Sequence, residues 1–332
     1  MIWLTWRQFR AQTLVTLGAL AVLALYLVVL GNQIRTFYTT RIADCTGDAC
    51  TLARFELRAD YGHTISVLVV VLLAVPGLIG VFWGAPLVSQ ELEQRTDRLV
   101  WSQSVTRTRW LVVKLTVIGL FSVAVTGVFS LLLTWSVSRY DQVIGERFAA
   151  YNFGSRNIVP IGYGLFAFVL GVVVGLLVRR TLLAMALTLA AFAALQLLVP
   201  AVARQNLMPP VTETITVDAE VLRQGVGMSL EDDGTFTLRG YTVPGGWALT
   251  DSSPLLKPDG SAYTGDDAKP CIAMVGDRAE SDACTAAQNL RFTHTYQPAD
   301  RYWTFQWIEL GLYTALSLLL AAFGLFWLRR RR

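Results

Sequence analysis

Apolar residues occur along the chain in six runs, each about as long as a bilayer is thick. The hydrocarbon core of a membrane measures roughly 30 Å, which a helix crosses in about 20 residues. We therefore predict an α-helical membrane protein with six transmembrane helices. The runs that meet this length cover residues 12–31, 64–86, 111–135, 158–178, 181–200 and 304–328.

The composition agrees with this pattern. Hydrophobic residues make up 54% of the 332 residues, charged residues 16%, and the mean hydropathy is +0.47. A soluble domain usually carries about a quarter charged residues, so the apolar excess belongs in membrane spans. The first run follows Arg7 and Arg10 as a signal peptide would, but it is longer than a typical signal core and no cleavage motif follows closely. We interpret it as a retained helix.

The arginines set the predicted orientation, because basic residues in short loops beside helix ends remain inside. The predicted cytoplasmic pieces are 1–11, 87–110, 179–180 and 329–332. Together they hold 12 basic residues against three acidic ones, whereas segment 201–302 carries 14 acidic and eight basic residues. Both termini are therefore predicted to be cytoplasmic. The segments predicted to lie outside are 32–63, 136–157 and 201–303.

Segment 201–303 is long enough for a small extracytoplasmic domain of mixed, partly β structure. Residues Thr212 to Val217 alternate as a strand does. Asp-Asp-Gly-Thr at 232–235 separates Met228–Leu230 from Phe236–Leu238 as a hairpin turn would. The last element, 304–332, is the sixth span with a basic cytoplasmic tail.

All four cysteines fall in segments predicted to lie outside, in a compartment where disulfides form. Proximity favours Cys45 with Cys50 and Cys271 with Cys284. Four cysteines allow three pairings, so the other pairings and free thiols stay open. The two histidines, His63 and His294, are far apart in the chain, so no histidine metal centre is expected.

Few polar residues fall within the predicted spans. Glu309, Gln196 and Lys114 each lie near one end of a span. We expect their side chains to reach the interface, because a charge at membrane depth is costly and long side chains can extend to water. The sequence therefore gives little support for an ion relay.

Residues 1–11 and 87–110 are predicted to lie at the inner surface. The first interleaves aromatic and basic residues, as an interfacial amphipathic helix does. In the second, Leu92, Leu99 and Val100 fall at i, i+7 and i+8, which predicts a second amphipathic helix with two glutamates in its first turn. Such a helix can dock into a groove of another protein; an interfacial loop helix with solvated charges is the other interpretation. The candidate residues for coupling this helix to such a partner protein are Glu91, Glu93, Arg95, Leu99, Val100 and Arg107.

These features resemble the membrane subunits of type-2 ABC exporters. In that family the loop after the second span commonly has two glutamates one residue apart, a Gly-Thr, a leucine-rich turn, a Ser-Pro-x-Ser-Arg-like break and a lysine in the next span. This chain differs in having Arg95 for the glycine and no proline after Ser102. The matching positions are Glu91, Glu93, Arg95-Thr96, Leu99-Val100, Ser102 to Arg107 and Lys114. The segments that are similar to an actinobacterial branch are Leu4 to Arg10, Arg179-Arg180-Thr181 and Tyr296 to Glu309.

The resemblance covers the membrane part of the chain and implies a permease subunit with alternating access. The substrate path through the spans would be apolar and Gly-rich, which favours an apolar or amphipathic substrate over a small ion. The resemblance also implies a homodimer with two separate ABC ATPase subunits in a bacterial plasma membrane, with ATP and Mg²⁺ bound by the partner. The sequence lacks a Gly-x-x-x-x-Gly-Lys-Ser/Thr phosphate loop, so we expect no catalysis, cofactor or metal on this chain. No nucleic-acid partner is expected.

Two other functions stay open at this point. A sensory or regulatory complex would use the same ATPase coupling without bulk transport, and vesicle transport would separate it from an exporter. An intramembrane hydrolase or lipid transferase would need paired carboxylates, a metal triad or a Ser-His pair, which the spans lack.

Overall fold

The computed structural model describes residues 2–94, 106–145, 147–224, 226–272 and 278–330. The chain divides into two compact units, Met1–Leu207 with Trp303–Arg332, and Met208–Tyr302. The α-helices of the first unit are α1 Ile2–Phe37, α2 Asp48–Ile79, α3 Ala85–Glu93, α4 Arg107–Ile144, α5 Ala150–Gly154, α6 Val159–Val178, α7 Thr181–Leu198 and α11 Tyr302–Arg330.

Six segments of the described chain are long and apolar enough to cross a membrane, which confirms the predicted six-span helical class. These segments contain α1, α2, α4, α6, α7 and α11. The helices of the first three spans, α1, α2 and α4, extend well outside the apolar runs that predicted them and have 36, 32 and 38 residues. An apolar run predicts only the part of a helix that lies in the hydrocarbon of the membrane. The helix itself continues through polar residues, because each further residue adds a backbone hydrogen bond.

The N-terminal helix differs from its predicted form. A separate interfacial helix over residues 1–11 is expected from the sequence, but α1 runs without a break from Ile2 to Phe37. Residues 2–17 contain neither glycine nor proline, so nothing in the backbone stops the helix near residue 11.

The fourth span, α6, is the centre of the first unit. In its most apolar window 72% of the residues are buried, against 17% for the first and the last spans. It packs against α2, α3, α4 and α7. A helix that is apolar on all sides is suited to this place, because each face meets another helix.

Glycines let α6 approach the end of the second span closely. After α2 the chain forms a π-helical turn, Gly80–Gly84, that leads directly into α3. A Cβ on Gly84 would lie 2.5 Å from the carbonyl oxygen of Phe168, and one on Gly175 would lie 2.5 Å from that of Ala85. Gly171 faces the backbone of Gly80 more closely still. These contacts are backbone to backbone, so only glycine fits.

The second unit, Met208–Tyr302, has the elements β1 Val211–Thr216, α8 Ala219–Arg223, β2 Gly227–Leu230, β3 Phe236–Arg239, β4 Trp247–Ala248, β5 Ser252–Pro254, α9 Gly265–Ile272, α10 Arg278–Ala287 and β6 Arg291–Gln297. Its strands form two three-stranded antiparallel sheets, of order β1-β6-β4 and β2-β3-β5. The predicted hairpin is confirmed, with Leu230 paired to Phe236 across the turn. Strand β1 covers all but the last residue of the predicted strand, Val217, and pairs with the last strand, β6.

Both disulfides favoured by proximity are present. Cys45 pairs with Cys50 beside the start of α2, and Cys271 of α9 pairs with Cys284 of α10. The second bridge fastens two short polar helices to each other, and Cys271 is itself buried.

His294 lies in β6 within the second unit and is buried. Its ring stacks on Tyr296 and meets Tyr241 edge-on. The Nε2 atom is buried and has no hydrogen-bond partner among the described residues. Burial lowers the pKa of His294 below its ordinary value of 6.5, and the nearby Glu213 carboxylate opposes that shift.

Candidate functional site

The short helix α3 carries the two glutamates that the sequence singles out, but at its opposite end. Ala85 begins the helix, with Pro86 in its first turn, and Glu93 ends it. Proline suits a first turn because the missing N–H has no partner there in any helix. The expectation that Glu91 and Glu93 lie in the first turn is therefore wrong. At the C-terminal end the helix dipole disfavours carboxylates, so partners outside α3 must stabilise them.

Glu91 binds a lysine of the third span. The Nζ of Lys114 lies 2.6 Å from Glu91 Oε1 and also donates to the carbonyl oxygen of Leu87, at 3.2 Å. The same ammonium lies over the ring of Trp110. Lys114 is 4% exposed. The expectation that it extends to the interface is wrong, because Glu91 and Leu87 of α3 offer a charged and a neutral acceptor closer by.

Glu93 caps the fifth span. Helix α7 begins after Arg180, whose side chain makes no capping hydrogen bond. Instead, Glu93 Oε2 accepts from the backbone N–H of Thr181 at 3.0 Å and from its hydroxyl at 2.7 Å. The hydroxyls of Ser89 and Thr181 lie 3.2 Å apart. A carboxylate is favourable at a helix N-terminus, so α3 supplies the cap that α7 lacks.

These contacts place α3, the start of α4 and the start of α7 at one end of the helix bundle. Thr106 caps α4, which begins at Arg107. Arg329, near the end of α11, donates to the hydroxyl of Thr108 at 3.3 Å. The basic helix ends that predicted the cytoplasmic side thus share this end of the unit. Three of the candidate coupling residues, Arg95, Leu99 and Val100, lie outside the described residues.

A second polar cluster lies at the opposite end of the bundle, where sequence reasoning expected none. Arg204, just beyond the π turn Val199–Ala203, binds Glu309 of α11 in bidentate fashion, at 2.9 and 3.1 Å. Tyr163 of α6 donates to the same carboxylate. Arg204 and Glu309 are both 0% exposed.

The expectation that Glu309 extends to the interface is therefore wrong. Its partner is an arginine 105 residues away in the chain, which no local pattern could indicate. Arg204 also donates to the carbonyl oxygen of Ala150 at 3.1 Å and lies over the ring of Phe153. Two hydrogen bonds to a carboxylate, one to a carbonyl and an aromatic face stabilise the buried guanidinium.

A second buried ion pair lies at the same end as Arg204 and Glu309. The Nε of Arg156 lies 3.0 Å from an oxygen of Asp141, near the end of α4, and its Nη1 donates to Ser155. Arg156 is buried, while Asp141 is partly exposed. Charged side chains that are buried in the described part of this unit thus lie near helix ends and are paired, which limits the cost of removing them from water.

The described residues contain no group of three or more His, Cys, Asp or Glu side chains that could hold a metal ion. The geometry is that of a helix bundle whose short inner helix is fastened to two spans by charged contacts. Such an arrangement can transmit a displacement of α3 to α4 and α7.

The family described as ABC-2 membrane transporter related matches residues 17–204. The match includes most of α1 and all of α2 to α7, and therefore Glu91, Lys114, Glu93 and Thr181. No curated protein and no solved structure matches the chain. Because the family match covers more than half of the chain, this protein belongs to the ABC-2 membrane transporter related family and is a permease subunit of an ABC transporter.

Proposed function

We propose that the protein is the permease of an ATP-driven exporter, in which two copies of this chain work with two separately encoded ATPase subunits. The end of the bundle that carries α3 faces the cytoplasm and receives the ATPase, and the unit Met208–Tyr302 lies outside a bacterial plasma membrane. Basic helix ends at the α3 side and both disulfides in the segments assigned to the outside support this orientation.

The observation that carries the proposal is the double attachment of α3. Glu91 fastens it to α4 through Lys114, and Glu93 fastens it to α7 through Thr181. Closely packed backbones at Gly171 and Gly175 join α6 to the same region. Because packed interiors resist compression, a force from the cytoplasmic side that displaces α3 also displaces α4, α6 and α7.

This arrangement changes the role that we assign to the two glutamates. Both carboxylates have partners within the chain, so they transmit movement inside the permease. Contact with the ATPase is then left to the apolar and basic side chains of the segment after α3, among them Arg95, Leu99 and Val100. ATP and Mg²⁺ bind the ATPase, and their binding energy shifts the permease only through different contacts in its two states.

An apolar or amphipathic substrate fits this interior best. The buried charges of the described spans lie near helix ends and are paired within the chain. Between those ends the packed core consists of aliphatic and aromatic side chains. A desolvated inorganic ion would find no unpaired charge there among the described residues.

The test uses the purified chain alone and together with an ABC ATPase subunit that co-purifies with it. We expect no ATP hydrolysis by the chain alone, and hydrolysis by the assembled complex in proteoliposomes. Movement of a fluorescent lipophilic cation or a fluorescent phospholipid is measured in the same vesicles.

ATP-dependent movement of either probe supports an exporter. Hydrolysis that depends on the permease without movement of any probe would favour the sensory complex instead. Hydrolysis by the chain alone would overturn the assignment.

A further inference from the structure

The buried cluster around Glu309 contains a hydroxyl that the present arrangement leaves without a partner. Tyr313 lies one helical turn after Glu309 on α11 and is 0% exposed. Its Oη has no hydrogen-bond partner among the described residues. Its ring meets that of Tyr163 at 4.7 Å, and its phenol is close enough to Glu309 and Arg204 to interact electrostatically with both.

The carboxylate of Glu309 already holds three other donors. Glu309 accepts two hydrogen bonds from Arg204 and one from the hydroxyl of Tyr163. A buried hydroxyl without a partner is unfavourable, so its presence beside a buried ion pair calls for an explanation.

The backbone around Arg204 suits a segment with two states. The fifth span ends in a π turn, Val199–Ala203, followed by a 3-10 turn, Arg204–Asn206, and Pro200 removes one donor from the helix ladder. Such turns interrupt regular helices and often mark functional sites. Arg204 therefore sits on the irregular end of α7, while Glu309 sits within the regular helix α11.

A buried ion pair is also a poor device for stability alone. Removing two charges from water is costly, and apolar residues of similar volume often serve as well. A role in choosing between conformations is the better explanation for this pair, because the arginine joins the outer end of α7 to α5 and α11.

We propose that Arg204 and Glu309 form a reversible latch between the outer ends of the fifth and sixth spans, and that Tyr313 is the positioning residue that donates to Glu309 when Arg204 leaves. In the closed state Glu309 holds Arg204. In the open state the arginine moves away with the end of α7, and the hydroxyl of Tyr313 takes its place on the carboxylate. Only one part of this proposal rests on the proposed function, namely that the latch opens when the permease opens to the outside during transport.

The test is hydrogen exchange of the backbone amides in 199–206, measured on the full chain in lipid nanodiscs without the ATPase. Tyr313→Phe removes the hydroxyl that the closed state does not use. We expect exchange at 199–206 to slow about tenfold, since the open state loses about one buried hydrogen bond and the closed state loses none. Glu309→Gln should speed this exchange, because it loosens the closed state.

Two matched controls separate the latch from general effects. Ser136→Ala removes another buried hydroxyl that lacks a partner among the described residues, in α4, and Asp141→Asn neutralises the carboxylate that is paired with Arg156. Both should leave exchange at 199–206 unchanged. Unchanged or faster exchange in Tyr313→Phe would overturn the proposal, and so would unchanged exchange in Glu309→Gln. Neither result depends on ATP hydrolysis or transport, so a failure here is distinct from a failure of the proposed function.

Discussion

The carboxylate of Glu93 caps a helix that begins 88 residues later in the chain, by accepting hydrogen bonds from both the backbone and the hydroxyl of Thr181. This contact makes the end of α3 and the start of α7 a single joint. Glu91, two residues earlier, forms a similar joint with α4 through Lys114. The short helix is thus part of the spans' own framework.

Thr181→Val should weaken that joint, since the capping carboxylate loses one of its two donors. We expect the apparent melting temperature of the purified chain to fall by a few degrees. Thr188→Val is the matched control in the same helix, where the hydroxyl bonds only to the carbonyl oxygen of Ala184 in the preceding turn. An equal fall in melting temperature in the two variants would mean that the hydrogen bond from Thr181 to Glu93 stabilises the chain no more than the hydroxyl of Thr188 does.

Gly171→Ala should disrupt the contact between α6 and the π turn after α2. The added Cβ would meet the backbone of Gly80, Gly84 and Ala85, which cannot rotate away. We expect a loss of about 1–3 kcal/mol or more, seen as a lower yield of monodisperse protein and a lower melting temperature. Gly311→Ala in α11, where the Cβ would meet nothing within 4 Å, should be tolerated. Normal stability of Gly171→Ala would contradict the close packing.

Removal of the Cys271–Cys284 bridge should destabilise the unit Met208–Tyr302 by about 3 kcal/mol, the value typical of a loop of this length. Loss of Cys45–Cys50 should cost less, because a shorter loop loses less entropy on closure. Peptide mapping without reductant should recover both bridges. Recovery of four alkylatable thiols would contradict both the bridges and the location assigned to their segments.

The stability of the second unit should fall as the pH falls below about 6.5, in part through His294. Burial lowers its pKa in the folded state, so the unfolded chain binds the proton more tightly and acid favours unfolding. The contribution of His294 is fully present above its ordinary pKa and is lost as the pH falls towards the folded value. His294→Phe should flatten the stability profile just below pH 6.5.

Hydrogen-bonded carboxylates of the same unit should account for the loss at lower pH. The hydroxyl and N–H of Thr264 lower the pKa of Asp267, and those of Ser261 lower the pKa of Asp259. Stability from these groups is present above their ordinary pKa values and is lost as the pH falls through the lowered ones. His294→Phe should leave this acid limb in place. An unchanged profile near pH 6 in that variant would show that His294 does not contribute.

Elements that depend on local pattern could be predicted from the sequence. Six apolar runs gave six spans, and the Asp-Asp-Gly turn gave the hairpin that pairs Leu230 with Phe236. Cysteines five and 13 residues apart gave both disulfides. In each case the signal and the structure lie within one stretch of chain.

The partners of the buried charges could not be predicted, because they come from distant parts of the chain. Neither Glu309 nor Arg204 carries a local sign of the other, and the same holds for Glu93 and Thr181. The start of α3 could not be predicted either, since the helix begins at Ala85 directly after the π turn, which puts the glutamates at its end. One sequence feature does point to the cap on Thr181. Arg180 precedes the helix and is not a capping residue, so the N-terminus of α7 needs a hydrogen-bond acceptor from elsewhere in the chain.

A double-mutant cycle between Glu93 and Thr181 tests the account most directly. The measured quantity is the rate of ATP hydrolysis coupled to probe movement in the reconstituted complex, for Glu93→Ala, Thr181→Val and the double variant. If the two side chains act on each other to transmit movement from α3 to α7, both single variants lower the coupled rate and the double variant is no slower than Glu93→Ala alone. If Glu93 instead contacts the ATPase directly, the two losses multiply in the double variant, and that result would contradict the role proposed for this joint.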